Sequence, residues 1–438
     1  MNSTKTITAL ERALNAIVGP EHVREGRDYS IDGVTPAWVL WPGNEEQVAA
    51  VLRVCSVNDL VAVPCGGMTK QSVGLPCDRI DVLLDMGRMD RIIRYDPGDL
   101  TIGVEAGVRV SEVEAVLAPH RQMLPLDGPQ SDRSTVGGIL ATATHGPLKH
   151  SFGGPRDFCV GVRFVTADGT VAKAGGQVVK NVAGYDLMKL LVGSYGTLAI
   201  ITSANFKVFP SPKQFRTFVA AFGTVQESIR FRDVVLRSPL TPLALEIVSP
   251  LAEGYLSAMI HGGCWHVVLR AGGSDAVLGR YRTELGGAVT TELGGEEERR
   301  LWRSLADFPT SIVATHSTAM LLEVSTPMSE VAPILGAAET IASEHGLFMA
   351  AAGRAAGPVS IGFLPIKEQP KPTAYSAVVK EIRRVLPKEG AAVVTRCPVA
   401  LKGMINVWGE TPTDMEAMRT VKRALDPGRI LNRGRFLL

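Results

Sequence analysis

Two short segments strip the chain nearly to its backbone, and they limit what it can fold around more than any other feature. The first is Pro64-Cys65-Gly66-Gly67-Met68-Thr69-Lys70, directly after the apolar run Val61–Val63. The second runs from Ser134 to Gly146, STVGGILATATHG, where nearly every residue is small. Consecutive glycines let successive N–H groups turn into one concavity, and such a nest binds phosphate oxygens without a cationic side chain. Thr69 adds a hydroxyl donor there and Lys70 a charge. The plainer alternative for the first segment is a tight turn after a strand. For the second it is a closely packed helix start capped by Ser134 or Thr135. A helix start would also turn free N–H groups and its dipole toward an anion. Gly193-Ser194-Tyr195-Gly196-Thr197 is a third glycine turn, feeding the apolar run Leu198–Ile201, with a helix C-cap as its plain alternative.

The familiar phosphate fingerprints are missing. The sequence holds no GxGxxG, no GxxxxGK[ST] and no HExxH, so neither a Rossmann turn, a P-loop nor a zincin helix is expected. Several small-residue loops without those fingerprints point to another way of holding a dinucleotide.

A chain of 438 residues exceeds one compact core and implies two domains or three. Lys plus Arg number 46 and Asp plus Glu 44, with no long basic run, which argues against a nucleic-acid binder. No apolar run approaches the ~20 residues of a membrane helix. The opening MNSTKTITALERALNAIVGP reads as an amphipathic helix, not a signal peptide. A cytoplasmic protein is expected, docked on a membrane complex through a partner if at all. Cys55, Cys65, Cys77, Cys159, Cys264 and Cys397 form no CxxC pair, so they are neither a disulfide framework nor an iron–sulfur ligand set. No metal site is expected.

Strands and helices alternate through the first half. Residues 37–42 and 61–64 read as strands around a helix over 45–59 with Asn44 as its N-cap. Residues 110–120 form a helix, and 159–176 a hairpin turning at Asp168-Gly169. Pro210 and Pro212 mark a boundary. Beyond it, FRTFVAAFG, LALEIVS, WHVVLRAGG, MLLEVST, LFMAAAG, VSIGFLP and AAVVTRC read as strands. A strand–helix–strand–strand–helix–strand order occurs twice, which predicts an antiparallel sheet with helices on one face. The expected division is an N-terminal helix over 1–30, a binding domain over 31–212, and an α+β cap domain over 213–438 ending in a Gly- and Arg-rich tail.

The segments PCGGMT, STVGGILATATHGP, GGPRDFCVGVRFVTADG, GGQVVKNVAGYDLMKLLVGSYGTLAIIT and LDPGRILNRGRF resemble the FAD-linked oxidases of the vanillyl-alcohol oxidase superfamily. Within it, KNVAGYD and GGPRDFCVGV look most like the E-type FAD-binding subunits of glycolate oxidase. The resemblance implies a PCMH-type FAD-binding domain of two α/β subdomains, then an α+β cap over the flavin. It implies that Pro64, Gly66, Gly67, Met68, Thr69 and Lys70 hold the pyrophosphate. Ser134, Thr135, Val136, Gly137, Gly138, Thr142 and Gly146 would line the pyrophosphate and flavin, and Gly196, Thr197 and Ile201 the remainder. Arg156 and Asp157 would pair to fix their loop, with Arg156 near the cofactor. Two positions depart from the family pattern. Met68 stands where a third glycine is usual, and Cys65 where Arg is common. A non-glycine residue in a left-handed conformation costs ~1 kcal/mol or more, so ordinary backbone angles are expected at Met68, with the nest one N–H short. No His lies in or near the first loop, so the flavin is expected to be non-covalent.

The resemblance implies oxidation of a small 2-hydroxy acid, with a D-type FAD subunit and an iron–sulfur subunit as partners. A stand-alone flavoenzyme acting on another alcohol and a non-catalytic FAD-bearing assembly subunit remain open. The chemistry needs a cation for the carboxylate and a base for the hydroxyl proton. Arg354 and Arg396 sit among apolar residues in strands and need anionic partners; Lys402, Arg433 and Arg435 are further candidates. His145 is the best placed base, with His316 and His345 as alternatives. The His-rich HGxxGDGN motif of the D-type relatives is absent.

Overall fold

The computed structural model describes residues 2–176, 186–256, 260–366 and 371–436. The KNVAGYD run lies almost wholly outside the described residues.

After the first helix, Asn2–Val18, a small sheet forms from Val23–Glu25, Trp38–Leu40, Val82–Asp85 and Ala62–Cys65, in that spatial order. The last three strands run parallel. The expected helix forms over Glu45–Val57, and Asn44 Oδ1 accepts the Gln47 N–H at 2.9 Å. It buries Val48, Val51, Leu52 and Cys55 against this sheet. A second sheet, fully antiparallel, orders Ile92–Asp96, Thr101–Glu105, Ile200–Lys207, Cys159–Val165 and Val171–Gly175. Helices Val110–Leu117 and Val136–Thr142 bury their apolar residues against it. The two sheets are the cores of two subdomains, and the glycine loops lie where they meet.

The cap is one eight-stranded antiparallel sheet. Its order is Thr291–Gly294, Gln214–Phe222, Trp265–Gly273, Ala244–Val248, Leu347–Arg354, Val359–Pro365, Met320–Ser325 and Ala391–Arg396. All seven strands read from the sequence are present, and the doubled strand–helix–strand–strand–helix–strand order is real. Each half places its four strands in the same relative order, and the halves join where Ala244–Val248 pairs with Leu347–Arg354. Helices Val225–Arg237, Asp275–Leu285, Val331–Glu344 and Pro372–Val385 cover one face. Helices are not confined to that face, however. Gly295–Thr315 lies on the other, burying Leu301, Trp302, Leu305, Phe308 and Ile312 at helical spacing. Its interior Pro309 hides the helix from a sequence reading. The uncovered remainder of this face turns toward the glycine loops.

The tail leaves the cap and returns to the first domain. Ile430 O accepts the Ala62 N–H at 2.8 Å, and the Asn432 N–H reaches Ala62 O at 2.9 Å. Arg435 of this Gly- and Arg-rich tail is therefore not at the surface but 2% exposed. Its Nη1 and Lys402 Nζ each donate to Asp32 Oδ2 at 2.9 Å. One buried carboxylate thus ties the N-terminal region, the cap and the tail together. Removing one member of such a group leaves uncompensated buried charge, costing about 3–5 kcal/mol. Asp32→Ala is accordingly expected to lower the melting temperature by several degrees; a variant that melts with the parent contradicts the clamp.

Candidate functional site

Strand Ala62–Cys65 delivers the first glycine loop against the second. A Cβ on Gly67 would overlap the Arg133 carbonyl, and one on Gly66 the Thr135 hydroxyl. The two loops touch because these positions are bare. Thr69 Oγ1 lies 3.2 Å from Ser134 Oγ, which donates to Pro129 O at 2.8 Å. Met68 does not take ordinary angles: its φ is +58°. The left-handed turn survives the missing glycine because Met68 packs onto the neighbouring core of Val63, Cys65 and Leu83, which offsets the strain. Among the described residues, the N–H groups of Gly66, Gly67, Met68 and Thr69 meet no protein acceptor. The nest is complete.

The second segment behaves differently. Thr135 caps helix Val136–Thr142 by accepting the Gly138 N–H at 3.3 Å. The Val136 N–H goes to Val108 O at 2.9 Å and the Gly137 N–H to Ala106 O at 2.8 Å. Its first amides are therefore spent inside the protein, and the expectation that this helix start offers free donors is corrected. The segment supplies a close wall.

Together the loops form a slot of about 90 Å³. Pro64, Gly66, Gly67, Met68, Thr69, Lys70, Thr135, Gly137, Gly138, Thr142, Gly196 and Ile201 line it, with Asn432 from the tail. Ser134, Val136, Arg156 and Thr197 do not line it. Arg156 and Asp157 do not pair: the arginine donates to Val192 O at 3.1 Å, and Asp157 accepts the Gly154 N–H at 2.7 Å as a helix cap. Thr197 O accepts from buried Lys422 at 2.6 Å.

Lys70, Val73, Thr142 and Tyr195 also border a larger chamber of about 330 Å³ under the cap sheet. His145, Gly146, Arg354 and Arg396 line this chamber, together with Glu246, Glu323, Ser360 and Trp408. Arg354 Nε is buried without a partner. Burial lowers the Arg354 pKa, opposed by Glu246 and Glu323. Arg396 donates to Thr69 O at 3.0 Å, pinning the first loop to the cap. Burial, then Lys149 and Arg354, push His145 down to about 3. It is a neutral imidazole at pH 7, and a group with so low a pKa is a weak general base.

Burial and Arg396 lower Lys70 to about 8. The lysine is cationic below that pH and neutral above it, so its pull on an anion in the slot fades as pH rises through 8. Affinity of the apoprotein for FAD is expected to fall between pH 7 and 9.5, and Lys70→Met to flatten that dependence. Flavin fluorescence quenching measures both; equal slopes in parent and variant contradict the role.

Residues 36–175 match the family model described as FAD binding domain, and 408–436 match FAD linked oxidases, C-terminal domain. The chain is 25% identical to glycolate oxidase subunit GlcD of Bacillus subtilis, over 98% of this chain and 96% of that one. It is 39% identical to glycolate oxidase subunit GlcE of Escherichia coli, over 34% of this chain and 42% of that one. In fold it resembles p-cresol methylhydroxylase, with a TM-score of 0.75, 17% identity, and coverage of 98% and 96%. The two matched segments are those that the tail brings together at the slot. The chain carries an FAD binding domain and the C-terminal segment of FAD linked oxidases, consistent with the vanillyl-alcohol oxidase superfamily. Its cofactor is FAD. The slot fits it: four unpartnered amides in a turn, a lysine beside them and a close wall opposite are what a diphosphate requires.

Several candidate residues lie away from the chamber. Lys402 is spent on Asp32, and Arg433 pairs with Asp78 at 3.2 Å; Arg435 reaches Asp32 through Nη1 but also lines the slot, where its Nη2 is buried and unpartnered. His345 meets Glu381 at 3.0 Å, and His316 packs near Tyr255; neither lines the chamber. Glu246 and Glu323 were not among the sequence candidates. Their signal was the one that marked Arg354 and Arg396, a charge in an apolar strand, here LALEIVS and MLLEVST. Glu323 accepts from Ser360 Oγ at 2.8 Å, and burial raises its pKa. Glu246 is 4% exposed, with Oε1 unpartnered, and burial pushes it well above the usual carboxylate range.

Proposed function

We propose that this oxidase is the FAD-bearing subunit of a glycolate-type 2-hydroxy-acid dehydrogenase, most like the E-type subunit. The observation that carries the reading is Arg354: a guanidinium whose Nε has no partner, set in a chamber continuous with the FAD slot. A guanidinium fork suits a carboxylate. FAD, held non-covalently by Gly66–Thr69 and Lys70, supplies the hydride acceptor. Arg354 binds the substrate carboxylate, and Arg396 holds the Thr69 loop while adding positive charge. His145, neutral, receives a hydrogen bond from the substrate hydroxyl. Leu305, Pro309 and Trp408 keep water from the reacting carbon.

Similarity to glycolate oxidase subunits, and to a D-lactate dehydrogenase of Archaeoglobus fulgidus at 24% identity over 91% of both chains, supports a 2-hydroxy acid as substrate. Among the described residues no His, Cys, Asp and Glu group is placed to hold a metal. The proposal therefore passes electrons to a D-type flavin subunit and an iron–sulfur subunit. Among the described residues no helix is long and apolar enough to cross a membrane; the proposal places the chain in the cytoplasm, peripheral to the membrane through those partners.

Anaerobic titration with glycolate and D-lactate tests the reading. Bleaching of the flavin absorbance by either supports it. A fully loaded protein that neither acid bleaches makes this chain a non-catalytic subunit. Co-purification with an iron–sulfur protein separates a complex subunit from a stand-alone enzyme.

A further inference from the structure

Glu246 and Arg354 are direct cross-strand partners where the two halves of the cap sheet meet. Both line the chamber, and each has a buried side-chain atom without a protein partner, Glu246 Oε1 and Arg354 Nε. A buried, unsatisfied carboxyl oxygen is costly to keep. An unpartnered donor and an unpartnered acid side by side are satisfied together by one ligand oxyanion, provided the acid carries a proton. We infer that Glu246 and Arg354 form a single ligand-reading pair, in which the guanidinium supplies the charge and the carboxyl group donates a hydrogen bond to the same oxyanion. The inference rests on the hydroxy-acid reading and adds Glu246 to it as a specificity residue.

The surroundings favour that division of labour. The groups around Glu246 are Arg354 on the adjacent strand, Glu323 three strands away on the same sheet, and Asp127. Segment 145–152, packed toward strand Ala244–Val248, adds His145, Lys149 and His150. Two further carboxylates nearby disfavour ionisation of Glu246. An ionised Glu246 would repel the anion that Arg354 attracts. Ligand binding then requires the protonated acid and weakens as Glu246 ionises.

Oxalate, a two-carbon anion that offers no hydroxyl-bearing carbon to oxidise, is the probe, with the FAD-loaded protein and flavin absorbance perturbation as readout. Glu246→Ala is expected to weaken oxalate binding at pH 7 about tenfold or more, the worth of one charge-assisted hydrogen bond. Glu246→Gln, whose amide donates at every pH, is expected to stay within about threefold of the parent at pH 7. It should also lose less affinity than the parent between pH 6 and 9. Glu246→Ala binding as tightly as the parent overturns the pair. Should that variant fail to hold flavin, equal pH slopes in Glu246→Gln and the parent overturn it instead. Arg354→Ala separates the two levels. If it binds oxalate like the parent, the carboxylate site itself is wrong; if only the Glu246 variants behave like the parent, the hydroxy-acid reading stands and the pair falls.

Discussion

Gly67→Arg is expected to emerge colourless from a purification in which the parent emerges yellow. The reason is steric before it is electrostatic. A Cβ at position 67 already overlaps the Arg133 carbonyl, so any side chain drives the first loop away from the second. The turn through Met68, held at φ +58°, is then lost, and with it the convergence of the Gly66–Thr69 amides. Each hydrogen bond from such an amide to a charged phosphate is worth about 1.5–3 kcal/mol. Losing two or more lowers FAD affinity by at least a hundredfold. Gly67→Ala should move the same way, because the overlap begins at Cβ. Full flavin content in either variant at normal yield contradicts the packing argument.

Arg354→Ala is expected to cost little stability and most of the activity on a carboxylate substrate. The guanidinium is half-buried and its Nε satisfies no protein group, so no internal bond recorded for that atom breaks with it. Removing a bidentate, charge-assisted contact should lower kcat/KM about a hundredfold, chiefly through KM. Arg396→Ala makes the contrast. Arg396 donates to Thr69 O, so its loss should loosen the first loop and reduce FAD retention as well as raise KM. If Arg354→Ala leaves the kinetics unchanged, the carboxylate clamp lies elsewhere.

Much of this was legible in the sequence, for identifiable reasons. The cap strands are strongly apolar runs bounded by turns, and all seven that were read exist. One glycine pair after a strand reads as a plain turn; several small-residue loops together, without a Rossmann or P-loop fingerprint, are what marked the slot. What the sequence concealed was tertiary. Residues 134–146 read as a donor-rich helix start, but only the fold shows the Val136 and Gly137 amides claimed by Val108 and Ala106. Arg435 read as tail coil, but its burial depends on Asp32, some 400 residues away. Met68 read as a missing glycine, but packing holds it in a glycine-like turn. Glu246 and Glu323 went unremarked because a single acid in an apolar strand has no visible partner until the sheet aligns it with Arg354 and Ser360.

The central claim is that four unpartnered amides in the Gly66–Thr69 turn hold the diphosphate of FAD. Flavin stoichiometry of the purified chain after incubation with excess FAD tests it most directly, with the Gly67→Ala variant alongside. The account predicts one FAD per chain in the parent, released on denaturation, and little in the variant. A parent that stays colourless, or a variant that fills equally, contradicts it.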